Sequence, residues 1–211
     1  MIIIESMTIT DGSTQMTMAA AANSLSEEQE DRIPVLFPIL GAIEPYGSTL
    51  FIGNRVAADD PELLQQNDIT ATMNLAVNIE LEPLMLGDGT SIRRTHIGLI
   101  DGPGNRPQHL LAAVLALDGV LGQLSPGKPH YPPHRRGNML VHCRGGRSRS
   151  VTVVALYLHL AHPDRFQTFD DALDHVRRAR GLDTTQPQPA MLTLAQDVLA
   201  RIGNLPLLMQ R

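Results

Sequence analysis

The stretch His142-Cys-Arg-Gly-Gly-Arg-Ser-Arg-Ser150 separates two apolar segments of the chain. The run Asn138–Cys143 before it predicts a short buried strand, and Arg149–His162 predicts a buried helix that stops at Pro163. Cys143, the only cysteine, therefore stands at a strand end, in a glycine-containing turn that opens a helix. Such a turn can direct successive backbone N–H groups at one anion, and the helix dipole adds positive charge there. Both effects stabilise a thiolate, so the sequence predicts a nucleophilic Cys143 with a depressed pKa.

The spacing within this stretch suits the binding of a tetrahedral oxyanion. Arg149 lies six residues after Cys143, so the loop can close around the anion while the guanidinium binds two of its oxygens. Gly145 and Gly146 allow the backbone to approach closely. The hydroxyl of Ser150 can donate a hydrogen bond to the sulfur. A lone cysteine is more often an inert core thiol, but this spacing in a strand-turn-helix context favours a catalytic one.

Phosphoryl transfer through a cysteine also needs an acid that protonates the leaving oxygen and later activates water as a base. Asp101 is the best candidate, because it follows a predicted strand and opens a Gly-Pro-Gly loop. Asp118 is the next candidate, although it lies within a helical pattern. His142 is expected to brace the loop by hydrogen bonding, since it has no partnering cysteine or carboxylate cluster for a metal. No metal and no cofactor are predicted.

Strands and helices alternate from residue 33 onward. This alternation predicts an α/β fold, a single three-layer domain with a central, mostly parallel sheet flanked by helices. The predicted strands are Ser48–Gly53, Ile69–Val77, Ile92–Ile100 and Asn138–Cys143. The predicted helices are Asp60–Asp68, Pro107–Leu124, Arg149–His162, Thr168–Gly181 and Pro189–Gly203. We assign residues 1–32 to a flexible N-terminal tail, 33–205 to the domain and 206–211 to a C-terminal tail, and the proline-rich segment Ser125–Asn138 to an irregular loop.

Composition excludes several classes of protein. With 211 residues, 43% of them hydrophobic, the chain can bury the core of one domain. A single cysteine excludes a disulfide framework and a cysteine-rich zinc module. No apolar run approaches the roughly 20 residues of a membrane span, so stable membrane insertion is not expected and a cytoplasmic location is predicted. Only 3% of the residues are aromatic and the net charge is -5, which argues against a nucleic-acid partner.

Charge is distributed unevenly along the chain. Residues 1–90 hold 14 acidic and 2 basic residues, whereas residues 91–211 hold 8 acidic and 15 basic residues. No acidic residue lies between Asp118 and Asp164. The basic residues in that interval are Lys128, Arg135, Arg136, Arg144, Arg147 and Arg149. A local positive field of this kind suits a small anionic substrate group.

The segment VHCRGGRSRS resembles the H-C-x2-G-x2-R-[ST] signature of the cysteine-dependent protein tyrosine phosphatase superfamily, in particular its dual-specificity phosphatase group. The resemblance extends over roughly residues 33–203. LFIGNRVAADDPELLQQNDITATMNLA is similar to the opening strand-helix-strand unit, IGLIDGPGN to the general-acid loop, and ALDHVRRARGLDTTQPQPAMLTLAQDVL to the closing helical pair. Three departures are Gly145, where alanine is common, the long interval between Asp101 and Cys143, and the absence of an aromatic residue at the usual phosphotyrosine-recognition position.

The resemblance implies a phosphomonoester hydrolase that forms a cysteinyl-phosphate intermediate, most directly a dual-specificity protein (Tyr/Ser/Thr) phosphatase. It implies Cys143 as the nucleophile, with Arg149 binding the phosphate. Asp101 would be the general acid, and the Ser150 hydroxyl would assist dephosphorylation. The phosphate would be held by the loop amides of Arg144, Gly145, Gly146, Arg147, Ser148 and Arg149. No metal is implied, and the partner would be a phosphorylated protein or phospholipid substrate.

Three other functions remain open at the level of sequence. Basic residues at both Arg144 and Arg147 resemble lipid-directed relatives, of the phosphoinositide or phosphatidylglycerophosphate phosphatase type, and extra positive charge favours substrates with more than one phosphate. CRGGRS alone also resembles the loop of some rhodanese-like sulfurtransferases. A phosphate-binding module without catalysis is the third alternative, although both Cys143 and Arg149 are present.

Overall fold

The fold is a five-stranded sheet with helices on both faces, in a computed structural model that describes residues 26–130 and 134–202. Its strands are β1 (Leu36–Ile43), β2 (Ser48–Gly53), β3 (Ile69–Ala76), β4 (Arg93–Leu99) and β5 (Asn138–His142). Its helices are α1 (Glu27–Glu30), α2 (Arg55–Ala58), α3 (Pro61–Gln66), α4 (Pro107–Gly122), α5 (Arg149–Ala161), α6 (Phe169–Arg180) and α7 (Pro189–Ile202). The strand order is β1-β2-β5-β3-β4. Only β1 runs antiparallel to its neighbour, so the predicted mostly parallel α/β sheet is confirmed.

The sheet separates two apolar cores, because successive side chains of a strand point to opposite faces. Ile52 of β2 and Met73 of β3 belong to the larger core, which the helices α4 to α7 cover. Phe51 of β2 and Leu140 of β5, each next in sequence to a residue of the larger core, belong to the smaller core with Leu64 of α3. The alternation therefore builds the predicted three layers, and it buries β3 on both faces.

Helix ends follow the local signals in the sequence. The Thr168 hydroxyl accepts a hydrogen bond from the Asp171 N–H at the start of α6, and Gly181 ends that helix with a φ of 72°. Asp60 caps α3 in the same way, with Pro61 at its first position. The start of α5 differs, because Ser148 makes no side-chain cap there. The first amides of α5 are thus left available to the loop that precedes them.

Strand β1 has no counterpart in the sequence-based prediction. It contains Pro38, which lacks an N–H, and two register shifts interrupt its pairing with β2. A strand of this kind is tolerated because β1 is at the edge of the sheet, where one side of its backbone needs no partner. The sequence pattern of Leu36–Ile43 could not show this position in the sheet.

The segment just before β1 is folded onto the domain. Residues from Ser26 onward, assigned to the tail from sequence, include α1, which opens with a capping box between Ser26 and Gln29. The buried Asn54 side chain donates hydrogen bonds to the carbonyl oxygens of Glu30 and Ile33 and accepts one from the Val35 N–H. These hydrogen bonds join residues about 20 positions apart, so the local composition of the segment does not reveal them and indicates a tail.

The predicted domain boundaries remain predictions. Residues 1–25, 131–133 and 203–211, which include most of the predicted tails and part of the predicted loop, lie outside the described residues. Within the described ranges, no helix combines the length and apolar character that crossing a membrane requires.

Replacing Asn54 tests the attachment of this segment. Asn54→Ala removes an amide that makes four hydrogen bonds to the backbone of Glu30, Ile33, Val35 and Ala57. We expect the free energy of unfolding to fall by about 2–4 kcal/mol, because buried backbone groups lose their partners. Limited proteolysis should then cut near residue 33 faster. Asn67→Ala, which removes an amide that donates to the Leu63 carbonyl at the end of α3, is the control. Equal effects of both changes would contradict the attachment.

Candidate active site

The candidate nucleophile lies at the centre of the sheet's carboxyl edge. β5 pairs in parallel with β2 on one side and β3 on the other, and His142 is in register with both Gly53 and Asn74. The loop from Cys143 to Ser148 then joins β5 to α5. Ligand sites of open α/β sheets lie at this edge, so topology places the loop where a substrate can reach it.

The Cys143 thiol is buried among hydrogen-bond donors. The residue is 2% exposed, and its Sγ lies 3.5 Å from the Ser150 Oγ. The backbone N–H groups of Gly146 and Ser150 also donate to the sulfur. Burial on its own raises the pKa of the thiol, but the Arg149 charge and the hydrogen bonds outweigh it. The pKa of Cys143 therefore lies below its ordinary value of 9.0.

Arg149 is a buried cation beside the sulfur. Its Nη1 donates to the Leu99 carbonyl oxygen at 3.3 Å, and its Nη2 lies 3.4 Å from the Asp101 Oδ2. Its Nε is buried and has no hydrogen-bond partner among the described residues. A guanidinium binds a phosphate through two parallel N–H groups, so Arg149 keeps a donor that a phosphate oxygen can use.

The structure brings Asp101, and not Asp118, to the cleft that Cys143 lines. Asp101 is 37% exposed and contacts Arg149. Its loop is braced by Asn105, whose side chain accepts a hydrogen bond from the Ile100 N–H at 2.9 Å and donates to the Ile100 carbonyl at 2.7 Å. Asp118 is not among the described residues that line the cleft.

Asn105 was not singled out from sequence as a site residue. An asparagine at the end of a Gly-Pro-Gly turn is a signal that side-chain bonds to the backbone hold the turn, and this signal could have identified it.

The backbone of the loop is held with its carbonyl groups turned away from the sulfur. Gly146 has a φ of +68°, and a Cβ there would lie 2.5 Å from the Gly53 carbonyl oxygen, so only glycine fits. From α6, the Arg180 Nε donates to the Gly146 carbonyl at 3.2 Å and its Nη2 to the Gly145 carbonyl at 3.3 Å. With the carbonyl oxygens bound behind the loop, its N–H groups are left to face Cys143.

Sequence reasoning did not identify Arg180, which is 2% exposed. In the sequence it stands with Arg177 and Arg178 in the last turn of a helix, where any arginine favours the dipole. No local signal distinguishes it from those two neighbours, because its partners lie 34 and 35 residues away.

His142 is enclosed beneath the loop. Its Nδ1 lies 3.2 Å from the Cys143 carbonyl oxygen, and because a carbonyl only accepts, Nδ1 carries the proton and donates. Burial lowers the pKa of His142 to about 4, so the ring is neutral near pH 7. The ring, for which the sequence predicts a bracing role, thus contacts the first carbonyl of the loop.

The cleft in front of the sulfur has a volume of about 330 Å³. Its lining residues are Glu27, Glu28, Asp31, Asp101, Cys143, Arg144, Gly145, Arg147, Ser148, Gln186 and Gln188. Gly146, Arg149 and Ser150 reach the site through their contacts with Cys143 and Asp101. Glu27, Glu28, Asp31 and the two glutamines were not predicted as part of the site. Within the described residues, no three His, Cys, Asp or Glu side chains are grouped to hold a metal ion.

Comparison with known sequences shows similarity to dual specificity protein phosphatases. No protein-family model matches the chain. It is 28% identical over 125 residues to dual specificity protein phosphatase 18 of Mus musculus, covering 59% of this chain and 58% of that protein. It is 28% identical over 145 residues to dual specificity protein phosphatase 21 of Homo sapiens, covering 69% of this chain and 66% of that protein. The match thus spans less than two thirds of each relative's length.

Solved structures share the fold. Human DUSP28 superposes with a TM-score of 0.57 at 21% identity, covering 81% of this chain and 97% of that one. The Yvh1 phosphatase domain from Chaetomium thermophilum gives a TM-score of 0.60 at 22% identity, covering 80% and 98%. The resemblance predicted from His142–Ser150 is therefore confirmed: the chain is similar in sequence to dual specificity protein phosphatases, and it shares the fold of these solved structures.

Proposed function

We propose that this protein hydrolyses phosphomonoesters of proteins through a phosphate ester of Cys143. The observation that carries the proposal is the buried Cys143 sulfur, which receives two backbone N–H groups and lies beside the Arg149 guanidinium. A sulfur in these surroundings is ionised and nucleophilic at a pH where an ordinary thiol is neutral. The sequence matches to proteins named dual specificity protein phosphatases support the same reaction.

The reaction consists of two displacements at phosphorus. In the first, the Cys143 thiolate attacks, the phosphorus–oxygen bond to the substrate breaks, and Asp101 gives its proton to the leaving oxygen. In the second, the Asp101 carboxylate takes a proton from water, whose oxygen attacks phosphorus as the phosphorus–sulfur bond breaks. The Ser150 hydroxyl, 3.5 Å from the sulfur, donates a hydrogen bond that stabilises the departing thiolate.

The loop amides and Arg149 stabilise the phosphoryl group during its transfer. The amides from Arg144 to Arg149 would surround the equatorial oxygens, and the buried Arg149 Nε would complete a two-point contact. Because Arg180 holds the loop carbonyls in place beforehand, little reorganisation accompanies the reaction.

The proposed substrates are phosphotyrosine and phosphoserine or phosphothreonine side chains. None of the described residues that line the cleft is aromatic, so no ring in that lining selects a planar phenyl ester over an alkyl ester. Cytoplasm is the compartment we propose, because a lone low-pKa thiol needs reducing surroundings to stay active.

Replacing the nucleophile gives the decisive test. Cys143→Ser should abolish hydrolysis of para-nitrophenyl phosphate while vanadate still binds, because the loop that holds the anion is retained. Acid-quenched wild-type protein should carry phosphate on Cys143 by peptide mass spectrometry. If the serine variant kept activity within a hundredfold of wild type, another nucleophile would have to be sought.

Asp101→Asn should separate good from poor leaving groups. We expect kcat/KM for alkyl phosphates to fall about 10²–10⁴-fold, the usual contribution of a general acid, and kcat/KM for aryl phosphates with good leaving groups to fall far less. The matched control is Asp118→Asn, an acid outside the cleft lining, which should affect both substrates alike. Equal losses on the two ester classes in Asp101→Asn would remove Asp101 from the mechanism.

The ionisation of Cys143 can be followed by its rate of alkylation with iodoacetamide across pH. The midpoint should lie below 9.0, because Arg149 and the hydrogen bonds outweigh burial. Ser150→Ala should raise the midpoint by about one pH unit, the loss of one hydrogen bond to the anion. Ser148→Ala is the control, since its Oγ accepts from the Gln188 N–H, whereas the hydroxyl beside the sulfur is that of Ser150. An unchanged midpoint in Ser150→Ala would contradict the role of that hydroxyl.

A further inference from the structure

The side chain of Arg147 is fully engaged within the protein. Its Nη2 lies 2.8 Å from the Asp31 Oδ1 and 3.6 Å from the Glu27 Oε2, and its Nη1 pairs with Glu30. These carboxylates belong to Glu27–Asp31, the segment we call the acidic arm. Together they hold the pKa of Arg147 above its ordinary value, although burial alone would lower it.

The acidic arm also binds two further arginines. Asp31 Oδ2 lies 3.0 Å from the Arg144 Nε, and Glu30 Oε1 lies 2.8 Å from the Arg180 Nη2. Glu30 and Asp31 therefore each join Arg147 to a second guanidinium. Three carboxylates face three guanidinium groups, so the positive charge that Arg144 and Arg147 bring to the loop is balanced within the chain.

Gly145 makes room for this pairing. A Cβ at position 145 would lie 2.4 Å from the Arg147 Nη2 and 2.8 Å from the Asp31 Oδ1. The absence of a side chain thus lets the guanidinium cross over the loop and reach the carboxylate. Glycine in place of alanine at position 145 therefore allows Arg147 to pair with the acidic arm.

These contacts bear on the substrate, because Arg144, Arg147, Glu27 and Asp31 all line the cleft. Free arginines there would bind a second phosphate next to the reacting one. With the carboxylates already in place, a second phosphate must displace them and then lies against their negative charge. A substrate with a single phosphate binds to the loop amides and Arg149, and it does not need to displace the carboxylates.

We propose that the acidic arm restricts this cleft to substrates with a single phosphate, by occupying the guanidinium groups of Arg144 and Arg147. The inference rests on the proposed function and narrows its substrate class. Glu27 and Asp31 are the specificity-determining residues, because they neutralise the arginines at the mouth of the cleft. Multiply phosphorylated headgroups and peptides with adjacent phosphates are disfavoured.

The test compares two matched pairs of substrates on the full chain. One pair is a phosphotyrosine peptide and the same peptide with a second phosphate on the neighbouring residue, and the other is an inositol monophosphate and a bisphosphate. Wild-type kcat/KM should favour the singly phosphorylated member of each pair at least tenfold. Glu27→Gln/Asp31→Asn should reduce that preference about tenfold or more, since amides leave the arginines unneutralised.

Glu28→Gln is the matched control. Glu28 lies in the same helix, lines the same cleft and pairs with Arg32 rather than with a loop arginine. Its removal should change the preference less than twofold. Because Glu27 is 68% exposed, Glu27→Gln alone retains the fold even if the double variant does not, and it should shift the preference in the same direction.

The inference would be overturned by a wild-type protein that hydrolyses the doubly phosphorylated peptide equally well, by Glu27 and Asp31 variants with unchanged preference, or by an equal shift in Glu28→Gln. A wild-type preference for the bisphosphorylated inositol would also overturn it and indicate a lipid headgroup as substrate. Failure of the proposed function would give a different result: hydrolysis of neither substrate pair would depend on Cys143.

Discussion

Burial to this degree would raise the pKa of the Cys143 thiol if nothing compensated for it, so the rest of the site depends on the groups that lower that pKa. The compensation comes from the Arg149 charge and from amides and a hydroxyl that converge on one atom. Such convergence is possible only if the loop carbonyls point elsewhere. Gly146, with its left-handed backbone, and Arg180, which binds two of those carbonyls, meet that requirement.

The elements that meet this requirement come from distant parts of the chain. Glu30 precedes the first strand, and its carboxylate lies against Arg180 at the end of α6, 150 residues further on. Arg180 in turn lies over the ring of Phe37 in β1, 4.7 Å from its centroid. The edge strand, the acidic arm and the closing helices are therefore tied to the loop through one buried side chain. Removing one partner of such a buried ion pair is destabilising, because the remaining charge is left without a counter-ion and without access to solvent.

Sequence reasoning was most successful where the signal is local. Nine consecutive residues specify the turn, its nucleophile and its arginine, and apolar or β-branched runs identify β2 to β5. Strand β1 was not predicted, because its proline and irregular pairing are tolerated only at an edge, and the edge position is a property of the whole sheet. The role of Glu30 was not predicted because a composition rich in acids describes a solvated tail equally well. That of Arg180 was not predicted because Arg177 and Arg178 share its place in the last turn of α6. Only the folded chain shows that these residues are partners.

Gly145 has a consequence for the history of this protein. Since its missing side chain is what admits the Arg147 guanidinium to Asp31, the three positions form one unit. A homologue with alanine at position 145 has to direct its residue at 147 differently, and an acid at position 31 then keeps only its pairing with the residue at 144. Across related chains, these positions are expected to be gained and lost together, so glycine at 145 would mark the lineages in which the segment before the first strand became part of the site.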